Sequence, residues 1–292
     1  MRMTFATMGY QPNWPEILDS PFMRNALAGG TIVALAAGII GYFVVVRQNS
    51  FAAHALAHIG LPGATGAVLL GLSPVFGLGV FCMGGAVLIS ALGQRAAERE
   101  VVTGTVLAFA TGLGMFFNSL ATRSSSTLTN VLFGNLLAIT GEQLVVFAAL
   151  LSVLAIAIGM AYRPLLYSSI NSEVAQAKGI NVRGINLAFM LLLGLAVTMA
   201  IQAVGSLLLF ALLITPAATA IALTPRPALA MTVSAGLAVG CVWLGLVIAA
   251  MFNAPPSFLI VTIVTSIWLA VWWRTRRRSR RIHTRYQLGG AA

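Results

Sequence analysis

Charge is what this sequence has least of. Only 8% of its 292 residues are Asp, Glu, Lys or Arg, against 59% that are apolar. Water-soluble domains carry roughly 25% charged residues. Seventeen basic and six acidic side chains cannot solvate a surface of this size, so an ordinary globular protein is excluded. Lipid is the solvent for most of the chain. Lysine is nearly absent, with Lys178 alone, and no Gly-x-x-x-x-Gly-Lys-Ser/Thr run occurs. A nucleotide therefore has no P-loop to sit in, and any ATPase that drives this chain is another polypeptide. The two cysteines, Cys82 and Cys241, lie inside apolar runs without disulfide or metal-ligand spacing. They read as small core residues.

What is present is a series of apolar runs, at about 22–46, 51–72, 74–93, 101–122, 142–162, 185–204, 206–224, 228–252 and 256–273. A crossing needs about 20 residues, and helices satisfy every backbone polar group in lipid. The expectation is an all-α polytopic membrane protein with about eight or nine transmembrane helices and no soluble catalytic domain. Residues 1–21 read as a short external segment, made interfacial by Trp14, Ile17, Leu18 and the adjoining Phe22, and lacking the features of a cleavable signal peptide. Residues 22–273 form the membrane domain and 274–292 a basic cytoplasmic tail. The charge-free stretch 185–224 would be about 60 Å of helix, so a break is expected at Gly205–Ser206. Pro62, Pro74, Pro216, Pro255 and Pro256 are expected to mark other ends or kinks.

The basic residues are distributed by side. A nine-crossing arrangement puts Arg47, Arg95, Arg99, Arg163, Lys178, Arg183, Arg226 and seven tail arginines (274, 276–278, 280, 281 and 285) inside. Arg2, Arg24 and Arg123 fall outside. Fourteen against three sets the C-terminus in the cytoplasm. The tail follows Trp272 and Trp273, as a membrane anchor does, and with no basic folded face elsewhere it gives no reason to expect nucleic acid.

Ionisable groups within spans are functional candidates by default, and there are few. His54 and His58, two of three histidines, share one helical face at i and i+4, about 6 Å apart. They lie roughly 10–17 Å below Arg47. Such a pair suits Zn²⁺, and less specifically Mn²⁺ or Fe²⁺; the plainer alternative is hydrogen bonding across a helix interface. Ala55 stands where a zincin helix needs its catalytic Glu. Asn118, Ser119, Asn130, Asn135, Glu142, Gln202, Thr215 and Thr219 are weaker candidates, Glu142 being explained as well by a helix start. Repeated glycines at Gly77, Gly79, Gly112 and Gly114 suggest close helix packing. Two connections are candidates for receiving a partner. Residues 171–179 read as a short helix containing Glu173 and Ala177 and closed by Gly179. The other is a turn after Pro216, through Ala217, Ala218, Thr219 and Ala220 to Arg226.

Several segments together resemble a known family. These are Pro21-Phe22-Met23-Arg24, Ser50-Phe51 with His58 and Pro62-Gly63, Leu132-Phe133-Gly134-Asn135, Ala175 to Val182, and Val204-Gly205-Ser206 through Pro216 to Ala220. In that order, from about residue 20 to 273, the chain resembles the membrane permeases of manganese, zinc and iron ABC importers, the ABC-3 family. The resemblance implies a fold similar to the vitamin B12-type importers, placed in a bacterial plasma membrane. It implies a second permease copy around a central path, separate ATPase subunits inside and an extracytoplasmic metal-binding protein outside. The metal is substrate rather than a resident cofactor, and the permease is not itself an enzyme. Residues 217–227 are then the first choice for ATPase coupling and 171–179 the second. The chain departs from the family at one point. Members often read Asp-Ala-Leu-Ser-His where this sequence has His54 for the Asp and Ala57 for the Ser. Imidazole in place of a hard oxygen ligand moves preference from Mn²⁺ towards Zn²⁺. A siderophore or B12-type permease is the nearest rival, though paired histidines do not suit a large ligand. A proton-coupled secondary transporter is another, but it needs a buried acid relay that the sequence does not offer.

Overall fold

The structure is a computed structural model that describes residues 11–93, 96–120 and 124–289; Arg2, Arg95 and Arg123 lie outside these. The described residues contain no strand and eleven α-helices: α1 Trp14–Asp19, α2 Pro21–Val46, α3 Ser50–Leu69, α4 Pro74–Leu92, α5 Ala96–Leu120, α6 Ser124–Phe133, α7 Gly141–Ile170, α8 Ser172–Ala177, α9 Val182–Leu223, α10 Pro227–Phe252 and α11 Pro256–Gly289. Seven of them, α2, α4, α5, α7, α9, α10 and α11, are long and apolar enough to cross a membrane. The twenty-residue α3 carries the two histidines and is packed among α4, α5 and α9. Each of the nine apolar runs falls largely on a helix.

Local chemistry sets many of the ends. Pro21, Pro74 and Pro227 open α2, α4 and α10, where a missing N–H costs nothing. Thr140 and Gln143 form a reciprocal capping box at the start of α7. Asn253 closes α10 in the left-handed region, φ 49°. Of the two alternatives for Pro62 and Pro216, helix ends or kinks, the first is ruled out: they lie inside α3 and α9, because a helix that stopped at either would leave backbone groups unsatisfied in lipid. Helix α7 likewise passes Arg163 and Pro164 to reach Ile170, and α11 passes Trp273 to reach Gly289. The Arg276 and Arg277 guanidiniums lie 4.2 and 3.5 Å over the Trp272 and Trp273 rings, a cation–π contact that suits the interface.

The interior is built on α2 and α9, whose spanning windows are 67% buried, against 17% for α5 and α7. Small residues bring backbones together. A Cβ on Gly63 would meet the Gly77 carbonyl oxygen at 2.1 Å, and one on Gly77 would meet that of Gly63 at 2.0 Å, so α3 and α4 cross in direct backbone contact. The expected break in α9 falls at Gly205, φ 75° and ψ 165°. Helix α6, which the apolar runs do not indicate, ends against this break. A Cβ on Gly205 would sit 2.3 Å from the Phe133 carbonyl carbon, and one on Gly134 (φ 67°) 2.4 Å from the Gly205 nitrogen. Two of the family-like segments, far apart in sequence, thus meet backbone to backbone.

Candidate functional site

On α3, Ala53, Ala55, Leu56, Ala57 and Ile59 are buried while His54 and His58 are half-buried. The helix thus packs through small and aliphatic side chains and leaves its imidazole face partly open. The two rings meet edge to face, centroids 4.7 Å apart at 71°. Two imidazoles on one tetrahedral ion, at Zn–N about 2.0–2.1 Å, have centroids about 5 Å apart, a separation close to that of this pair. The Phe210 ring stands 4.9 Å from His54, also edge to face, and forms a wall of the site from α9 just beyond its break. Nothing in the apolar run around Phe210 singles it out; only the fold brings it here. The Nδ1 of His54 is buried without a hydrogen-bond partner. Among the described residues no group of three or more His, Cys, Asp or Glu side chains converges on a metal position, so one chain offers two ligands.

The weaker candidates do not join them. Gln202 donates to Thr198 O, Thr219 to Thr215 O and Ser119 to Phe116 O, all back-bonds within their own helices. Glu142 is exposed in the first turn of α7, where an acid complements the helix dipole. Asn118 Oδ1 and Ser206 Oγ are buried without partners.

The two candidate partner surfaces differ sharply. The turn expected after Pro216 is delayed to Thr224. Ala217, Thr219 and Ala220 are buried within α9, which continues to Leu223, and Ala218 is partly buried. Of these four small residues three face the interior, and the more exposed part of the connection lies beyond them, from Ala222 to Arg226. Arg226 is exposed, at the N-cap of α10. Residues 171–179 form the short helix expected of them, α8. The Asn171 side chain accepts from the Glu173 and Val174 N–H groups, Ala175 anchors the helix in the protein, and Glu173, Ala177 and Gly179 are exposed. Gly179 ends it at φ 77°. Beside α8 a cleft of about 1420 Å³ runs between the end of α4 and the starts of α5 and α9, lined in part by Arg99, Glu173, Gln176 and Arg183. These residues, assigned to one membrane side by the charge count, share one end of the bundle.

The described residues thus form a bundle of helices, seven of them long and apolar enough to cross a membrane, with an imidazole pair on an inner helix. The chain belongs to the ABC 3 transport family, whose sequence profile matches residues 19–275. It is 31% identical over 255 residues to the manganese transport system membrane protein MntC of Listeria innocua, covering 86% of this chain and 90% of that one. Over 252 residues it is 30% identical to the manganese import system permease protein ScaB of Streptococcus gordonii, with the same coverage of each chain. Among solved structures it is similar to PsaBC from Streptococcus pneumoniae in complex with Fab, with a TM-score of 0.79 at 29% identity, covering 89% of this chain and 94% of that chain.

Proposed function

We propose that this chain is the membrane permease subunit of an ABC importer for divalent metal ions, with His54 and His58 as transient ligands on the path. The observation that carries the reading is the imidazole pair, its ring centroids 4.7 Å apart on an inner helix and walled by Phe210. The named relatives are manganese permeases; two nitrogen ligands favour Zn²⁺ here, with Mn²⁺ and Fe²⁺ as lesser substrates. A second copy of the chain supplies a second pair, giving the four ligands a tetrahedral ion takes. ATP binding and hydrolysis on separate ATPase subunits rock the two copies between outward-open and inward-open states. An extracytoplasmic metal-binding protein delivers the ion, and α8 lies at the cytoplasmic end of the membrane-embedded bundle.

The test is metal-resolved, ATP-dependent uptake into vesicles containing the chain reconstituted with its co-expressed ATPase. Zinc uptake exceeding manganese uptake supports the reading; ATP-independent transport would favour a secondary transporter. Protons compete for imidazole lone pairs, so metal binding is expected to weaken as the pH is lowered into the acid range. A binding titration across pH 5 to 8 checks this.

Docking through α8 rather than through 217–220 is supported by the exposure of the one and the burial of Ala217, Thr219 and Ala220 in the other. Glu173→Lys with Ala177→Asp is expected to abolish co-purification of the ATPase while metal binding to the permease persists. If capture instead depends on Arg226, the start of α10 is the dock.

A further inference from the structure

Where α2, α5, α7, α8 and α9 come together at the α8 end of the bundle, they surround a polar cavity of about 340 Å³, lined among others by Arg47, Arg99, Ser168, Ser169, Ser172 and Asn186. Neither histidine borders it. Arg47 leaves α2 and reaches across neighbouring helices: Nη1 donates to Ser168 Oγ at 2.8 Å, Ser169 Oγ at 3.2 Å and Leu165 O at 3.4 Å, and Nη2 donates to Asn186 Oδ1. Arg99 donates from Nη1 to Asn49 Oδ1 at 2.9 Å and from Nε to Gly93 O at 3.3 Å. All these acceptors are neutral. The ion pair found among the described residues is Arg24–Asp19, in which neither takes part. The Nε of Arg47 is buried without a partner, and burial together with the charge of Arg99 brings the Arg47 guanidinium down to about 10.

Two like charges held near each other, with only neutral acceptors, are an expensive arrangement that an anion relieves. Guanidinium forks match phosphate geometry bidentately. A carboxylate offers its acceptors in one plane, whereas the guanidiniums of Arg47, at the end of α2, and Arg99, on α5, reach the cavity from different helices with Ser172 of α8 at its edge, and suit an anion with oxygens on more than one face. We propose that this cavity binds a tetrahedral oxyanion, a phosphate group, clamped between Arg47 and Arg99. Free phosphate and a phospholipid headgroup present the same chemistry. Occupancy neutralises the clamp and ties together the helix ends beside α8, whose first residue, Ser172, lines the cavity.

The test uses the full-length chain with its ATPase in nanodiscs. In one arm the bilayer is phosphatidylcholine, and inorganic phosphate is titrated against chloride at matched ionic strength, reading the thermal midpoint. In the other the bilayer contains phosphatidylglycerol without added phosphate, and retained lipid is read by native mass spectrometry. Because Arg47 joins three helices and its loss can stop folding, Arg99→Gln and Arg99→Lys carry the comparison. Phosphate stabilisation in the first arm assigns free phosphate, and selective retention of phosphatidylglycerol in the second assigns a headgroup. Either is expected to weaken about tenfold or more in Arg99→Gln, as loss of a charge-assisted bond implies, and less in Arg99→Lys. The proposal is overturned if neither arm shows binding, or if Arg99→Gln binds as the wild type does. Capture of the ATPase that requires Arg99 while no anion binds would assign the clamp to an acidic side chain of that partner, and equally overturns it.

Discussion

Replacing both His54 and His58 with alanine is expected to reduce zinc uptake by at least about 100-fold, since even partners that only orient metal ligands are worth 10–100-fold. The two rings share one face of α3 and already lie 4.7 Å apart, so each single variant leaves a monodentate site and the double variant leaves none. The change also tests the plainer reading. If the histidines only hydrogen-bonded across a helix interface, the double variant would lose a modest amount of stability and keep its transport. His54→Asp is the informative partner experiment. It restores an oxygen ligand beside the imidazole of His58 and is expected to raise manganese uptake relative to zinc, without lowering the yield of folded protein. Uptake of both metals by wild type and variants in the same vesicles gives the ratio directly.

The second large effect is on folding. Gly205→Ala is expected to destabilise the chain by about 2–6 kcal/mol, the sum of a backbone state open essentially to glycine alone and of forced overpacking. At φ 75° and ψ 165° an L side chain is strained whatever the space, and here there is none: the new methyl would lie 2.3 Å from the Phe133 carbonyl carbon and 2.4 Å from the Gly134 nitrogen. Neither backbone can retreat alone, because Gly134 faces the same contact from the other side. Gly236→Ala, in α10 with nothing within 4 Å of the added Cβ, is the control and should leave stability unchanged or slightly improved. Thermal unfolding of purified protein separates the two. Because Phe210 reaches His54 from just beyond the break, residual folded Gly205→Ala protein is also expected to bind metal more weakly.

The sequence made the helices that lipid demands easy to read, along with the signals that are local. The cap, acid and glycine of 171–179 gave α8, and a charge-free stretch too long for one crossing gave the break at Gly205. Features that depend on neighbours were not legible. A proline inside a helix costs a hydrogen bond and a ring clash, but in lipid the alternative to helix is worse, so Pro62 and Pro216 stay within α3 and α9, and the turn expected from Ala217 to Arg226 is delayed to Thr224. Helix α6 is too short and too polar, with Ser124, Ser125, Ser126, Thr127, Thr129 and Asn130, to register among spans; protein rather than lipid faces its end at Gly134. Of the site, the histidine pair was visible because ionisable residues are scarce in spans, while Phe210 is one apolar residue among many. Arg47 and Arg99 counted only as markers of a membrane side until the fold placed them on one cavity.

The most direct measurement is zinc K-edge X-ray absorption on the metal-loaded permease–ATPase complex. A metal path through His54 and His58 predicts a nitrogen shell at about 2.0–2.1 Å with imidazole scattering, lost when both histidines are replaced by alanine. An unchanged spectrum in that variant, or a sulfur shell at about 2.3 Å placing the ion on a cysteine, would contradict it.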